Sequence, residues 1–170
     1  PSASEDNPVE IQVATQQRFQ LRTIDPQGRI IPVIPIWSVT NGVGEIDQDG
    51  QFFAGTGADQ IGQVIATIPI LDEGSADTVA ARQAFTWVKL TPGPASRLIL
   101  NPQTDSLLFA AGTRQPFHAL VFDNYGNLRT DAVSWEIEGG IGEVLGIPLA
   151  PEEETVTANQ KMFHVQTVGH

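Results

Sequence analysis

The sequence predicts an all-β protein, with β-sandwich units in tandem and the second unit incomplete at its C-terminal end. Short runs in which apolar and polar residues alternate recur along the chain, the signature of half-buried strands. Glycine (16) and proline (12) punctuate those runs throughout the 170 residues, as turns between many short strands require. One long pattern then occurs twice at a constant offset, which marks a repeated structural unit.

The repeat is carried by two segments, Phe19-Gln20-Leu21-Arg22-Thr23-Ile24-Asp25-Pro26-Gln27-Gly28 and Phe117-His118-Ala119-Leu120-Val121-Phe122-Asp123-Asn124-Tyr125-Gly126, which lie 98 positions apart (117 − 19). The same offset carries Trp37 onto Trp135, Gly42 onto Gly140, Gly44 onto Gly142 and Glu45 onto Glu143 without a gap. A unit of about one hundred residues is the size of an immunoglobulin-type sandwich.

Within the first unit, Val9, Ile11 and Val13 alternate with polar or small residues, and so do Phe19, Leu21 and Thr23. Asp25-Pro26-Gln27-Gly28 and its counterpart Asp123-Asn124-Tyr125-Gly126 are turns, in which Asp bonds its own backbone and Gly accepts positive φ. Ile34, Ile36 and Val39 flank Trp37 in the next strand. Pro32 and Pro35 cannot donate to a ladder, so that strand starts at an edge or a bulge. Gln48-Asp49-Gly50 turns into Phe52-Phe53-Ala54-Gly55, residues 63–70 form a strongly apolar strand, and residues 84–90 close the unit. No stretch carries a capped helical pattern of useful length.

These elements divide the chain into residues 1–91, a connection at 92–96 containing Pro92 and Pro94, and residues 97–170. Two prolines stiffen so short a link, so the expectation is a semi-rigid rod. Both ends are expected to be cut inside the pattern. The counterpart of Leu98 would fall at position 0, and Pro1 stands where a start methionine would, which points to a processed or excised piece. In the second unit the register breaks after Leu145. Residues 146–160, with Pro151-Glu152-Glu153-Glu154, read as an acidic insertion. Residues 161–170 then resume the pattern, with Phe163 standing for Phe53, and no counterpart of residues 65–90 follows. The second unit therefore lacks its last two strands, which leaves ladder edges and core open. Either a continuing chain or another segment would supply them.

Composition narrows the function. With 41% hydrophobic and 17% charged residues the chain is that of a folded protein rather than a disordered one. A net charge of −11, from 20 acids against 9 bases, disfavours a nucleic-acid partner, because binding phosphates needs a basic stripe. The absence of cysteine excludes a disulfide framework, a thiolate metal site and a cysteine nucleophile. No apolar run has the length of a membrane helix, and no signal peptide is present.

The repeat resembles the bacterial immunoglobulin-like (Big) families, the modules of invasin- and intimin-type surface proteins. The matching words are Pro92-Gly93-Pro94-Ala95, Ala111-Gly112-Thr113, Phe117, Phe122-Asp123-Asn124-Tyr125-Gly126-Asn127 and Val133-Ser134-Trp135. The first unit adds Ile46-Asp47, Gly50-Gln51-Phe52-Phe53-Ala54-Gly55 and Gly62-Gln63-Val64-Ile65-Ala66-Thr67. The resemblance covers residues 8–145 well and 146–170 poorly. It implies tandem modules of a long exported chain, and it carries over no active site.

Candidate chemistry is sparse. Trp37 and Trp135 are read as core tryptophans of a third strand rather than ligand-stacking rings. Trp87 and Tyr125 are the reasonable candidates for stacking on a glycan. Asp123, Asn124, Asn127 and Asp131 gather oxygens as a calcium loop would, but Asx turns explain the same residues, and Arg29 takes the place of Asn127 in the first unit. His118, His164 and His170 have no metal-ligand spacing. Ser134 lies in a strand and not in a nucleophile elbow. Gly42-Val43-Gly44 and Gly139-Gly140-Ile141-Gly142 lack the Lys-Ser/Thr of a phosphate loop. Glu152, Glu153 and Glu154 read as a solvated loop. The expectation is a non-catalytic spacer or adhesive module, extracellular or at the cell surface, without a cofactor. Its partners would be neighbouring domains of the same chain and another protein or a surface glycan. The rival readings are a carbohydrate-binding or accessory module of a secreted hydrolase and a strand-exchanging subunit of an extracellular filament.

Overall fold

A computed structural model of the chain describes residues 4–71, 78–103, 107–145 and 160–165. The protein is all-β, with no helix among the described residues. It divides into two compact units, Pro1–Gly93 and Pro94–His170.

Unit 1 contains β1 (Val9–Gln12), β2 (Gln16–Arg18), β3 (Thr23–Ile24), β4 (Ile30–Ile31), β5 (Ile36–Val39), β6 (Gly44–Ile46), β7 (Gln51–Ala54), β8 (Ile61–Leu71) and β9 (Thr78–Thr91). One sheet has the order β1-β9-β8-β5 and a second the order β2-β7-β6, with β3 and β4 forming a separate hairpin. β5, which follows Pro32 and Pro35, lies at a sheet edge, where missing N–H donors are tolerated. β8 and β9 pair antiparallel along their length and form a long hairpin. β1 instead runs parallel to β9, with Val9 opposite Val88 and Gln12 opposite Thr91, and the Val13 N–H extends the ladder to the Thr91 carbonyl at 2.9 Å.

Both sheets feed one core. Ile11 and Val13 come from β1 and its end, Val64 from β8, Val88 and Leu90 from β9, Phe52 from β7, and Val43 from the turn before β6. Period two explains the selection. Phe52 is wholly buried, whereas Phe53, one residue on, points to the opposite face and is 42% exposed. Burial of each large apolar side chain contributes roughly 1.5–3 kcal/mol. Phe19 meets Phe52 edge to face at 5.8 Å, and Trp37 packs half-buried against the same cluster.

Unit 2 contains β10 (Ala95–Asn101), β11 (Arg114–Asp123), β12 (Leu128–Arg129), β13 (Gly142–Leu145) and β14 (Gln160–Val165). They form a single sheet of order β10-β11-β14-β13, with β12 on β11. Since β9 runs to Thr91 and β10 begins at Ala95, the connection between strands is 92–94, tighter than the expected 92–96.

Hydrogen-bond register in the β2-β7-β6 sheet of unit 1 matches that of β11, β14 and β13 in unit 2. Gln16 and Gln17 pair with Phe53 and Phe52, and Arg114 and Gln115, 98 positions later, pair with His164 and Phe163. Ile46 pairs with Phe52, and Val144 pairs with Phe163. Phe163 is therefore the counterpart of Phe52 and not of Phe53, whose place His164 takes. The offset grows from 98 to 111 (163 − 52) between β13 and β14. A shared close approach fixes the same register. A Cβ on Gly44 or on Gly142 would fall on a backbone carbonyl of the next strand and within 3.0 Å of the Phe52 or Phe163 ring respectively. The expected acidic insertion, apart from Gln160 at the start of β14, lies outside the described residues, as does His170.

Candidate functional site

The turn after β11 is built on Asp123, which is buried. Its Oδ1 accepts the backbone N–H groups of Tyr125 at 2.8 Å and Asn127 at 2.9 Å, and its Oδ2 accepts Asn127 Nδ2 at 2.8 Å. The counterpart in unit 1 is the same device. Asp25 Oδ1 accepts from Gln27 and Arg29, and Arg29 Nε donates to Asp25 Oδ2. The Arg29 backbone N–H is the main cause holding the Asp25 carboxyl below the usual aspartate value, helped by the Arg29 side chain and the Gln27 N–H. Asn127 thus does in neutral form what Arg29 does as a cation.

Of the other candidate calcium ligands, Asn124 is exposed. Asp131 pairs with Arg129, which lowers the Asp131 pKa and raises that of Arg129. Among the described residues no group of three or more His, Asp or Glu side chains is placed to hold a metal ion. The oxygens of the Asp123 loop are used to close a turn.

His164 Nδ1 lies 3.2 Å from Glu143 Oε1, its cross-strand neighbour, and His118 sits half-buried on β11. Ser134 is exposed in a stretch without strand pairing. Glycines 42, 139 and 140 have positive φ, as strand-connecting turns require. Trp87 is half-buried on β9 opposite Gln63, and Tyr125 is 54% exposed in the Asp123 turn of the other unit.

An open, mainly apolar cavity of about 280 Å³ lies in unit 2. Phe117, Trp135, Ile137, Ile141, Val144 and Phe163 line it. Trp135 Nε1 is buried there without a hydrogen-bond partner. Sequence reasoning singled out Trp135 as core but not the cavity, because alternation along a strand does not show what stands opposite. No helix among the described residues is long and apolar enough to cross a membrane. No protein-family profile matches the sequence, and no curated protein matches it.

Proposed function

We propose that the chain is a pair of immunoglobulin-type modules serving as a non-catalytic, load-bearing spacer or adhesive segment of an exported bacterial protein. The observation that carries this reading is the twofold occurrence of one hydrogen-bond register within a single chain. Strand order supports it. In an immunoglobulin sandwich the first, second, fifth and fourth strands share a sheet, and β10, β11, β14 and β13 have that order. In unit 1, β5, β8 and β9 take the places of the third, sixth and seventh strands, and β1 has joined their sheet.

The parallel β1–β9 pair supports a mechanical role. The chain enters unit 1 at β1 and leaves at the end of β9. Tension between those points pulls the two strands past each other, so their ladder bonds are loaded together. The antiparallel β8–β9 pair, pulled from Gln60 and Thr91, would open one rung at a time. The cysteine-free sequence lets introduced cysteines serve as the sole handles in single-molecule pulling. Unit 1 is expected to rupture at clearly higher force when held at its two ends than when held at residues 60 and 91. Equal forces in the two geometries would refute the load-bearing reading.

A further inference from the structure

Unit 1 contains a hairpin that has no counterpart among the described residues of unit 2. In unit 1 the β8–β9 hairpin is bonded on one side to β5 and on the other to β1. The counterparts of those two strands in unit 2, residues 134–137 and 107–110, have no strand pairing among the described residues. Leu107 and Leu108, in the second of these segments, are exposed, Leu108 completely. Both segments that hold the hairpin in unit 1 are therefore without strand pairing among the described residues of unit 2.

The cavity has the same origin. Its residues Phe117, Trp135, Ile137, Ile141 and Val144 stand 98 positions after Phe19, Trp37, Val39, Val43 and Ile46, and Phe163 stands for Phe52. In unit 1 every one of those counterparts belongs to the core or packs against it. What closes that core from the other side is Val64 of β8 with Val88 and Leu90 of β9, none more than 2% exposed. An apolar face with unpaired strand edges on both flanks is a template for strand addition.

We infer that the open face of unit 2 is an acceptor site for a β-hairpin of the β8–β9 kind. Its occupant is an antiparallel strand pair with apolar side chains at alternate positions. One strand pairs antiparallel with residues 134–137, as β8 does with β5. The other pairs parallel with residues 107–110, as β9 does with β1. Three apolar side chains at the Val64, Val88 and Leu90 positions fill the cavity. The site rests on the same strand correspondence as the proposed function, though it does not depend on load-bearing.

This chain supplies its own probe. The 170-residue protein would be titrated with a synthetic peptide of residues 56–91 and followed by hydrogen exchange. Because a free hairpin folds poorly, a second arm joins a copy of residues 55–91 directly after Val165, the register counterpart of Ala54. Amides of residues 107–110 and 133–138 are expected to exchange at least roughly tenfold more slowly in either arm, as for segments that enter a cooperative unit. The same hairpin with Val64→Asp and Val88→Asp should give no protection. The site is overturned if neither arm protects those amides, or if the aspartate hairpin protects them equally. It is also overturned if they become protected without peptide as protein concentration rises, since a second copy would then cover the face. A weak unit 1 in the pulling experiment would leave this result untouched, and failure here would leave the pulling result untouched.

Discussion

Replacing Phe52 with alanine and, separately, Phe163 with alanine compares a closed core with an open one at the same register position. Phe52 is wholly buried and meets Phe19 at 5.8 Å. Truncating such a ring costs about 3–5 kcal/mol, the lost transfer energy plus the void left behind. At about 4–8 °C per kcal/mol for a domain of this size, the melting temperature of unit 1 should fall by roughly 12 °C or more. Phe163 keeps its edge-to-face contact with Phe117 at 6.1 Å, but it also borders the 280 Å³ cavity and is only partly buried. With part of its surface already bare, its truncation should cost about 1–2 kcal/mol, roughly half the value of full burial. Denaturant unfolding followed by tryptophan fluorescence separates the two, because Trp37 and Trp87 report on unit 1 and Trp135 on unit 2. Equal losses from the two substitutions would refute the argument that unit 2 has an open core.

Gly44→Ala should destabilise unit 1 by about 1–3 kcal/mol, the usual cost of overpacking, because the new Cβ meets the Phe53 carbonyl and the Phe52 ring. Its thermal midpoint measures this. Asp123→Ala should cost about 1 kcal/mol, the net worth of a typical hydrogen bond, by leaving the part-buried N–H donors of Tyr125 and Asn127 without their acceptor, whereas millimolar calcium should leave the wild-type midpoint unchanged, as the Asp123 oxygens are already taken by Tyr125 and Asn127. Acid should erode the Asp25 and Asp131 contributions in one direction. Both carboxyls are lowered from 3.8, so their stabilisation is present above the unfolded value and is lost as pH falls through the lower folded one. Carboxyl titration by NMR should find both midpoints below 3.8.

The turns were legible because their chemistry is local. Asp25 and Asp123 each bond backbone two and four residues ahead, and that demand is written in adjacent letters. The limits of β9 were not legible. It starts at Thr78, well before the expected 84, because the stretch 81–84 is exposed and needs no apolar alternation. The parallel docking of β1 on β9 also left no trace, since Val9 and Ile11 would alternate in the same way beside any partner. The match of Phe163 to Phe53 failed for a related reason. Two adjacent phenylalanines offer two alignments one residue apart, and a slip of one exchanges the core face for the outer face. The pairings with Gln115 and Val144, and the ring held over Gly142, tell them apart.

The lengthened passage between β13 and β14 has a practical consequence. In unit 1 the two corresponding strands are joined by residues 47–50, and in unit 2 by residues 146–159, yet the ladder on either side keeps its register. Loop-closure entropy rises only as the logarithm of length, so growth from four residues to fourteen costs about 1 kcal/mol. The tip of the β6–β7 hairpin is thus a permissive graft point. Foreign epitopes or affinity tags inserted between Gln48 and Asp49 of unit 1 should leave the β6–β7 ladder in register while giving up the bonds from Asp49 and Gln51 to the Asp47 carboxylate.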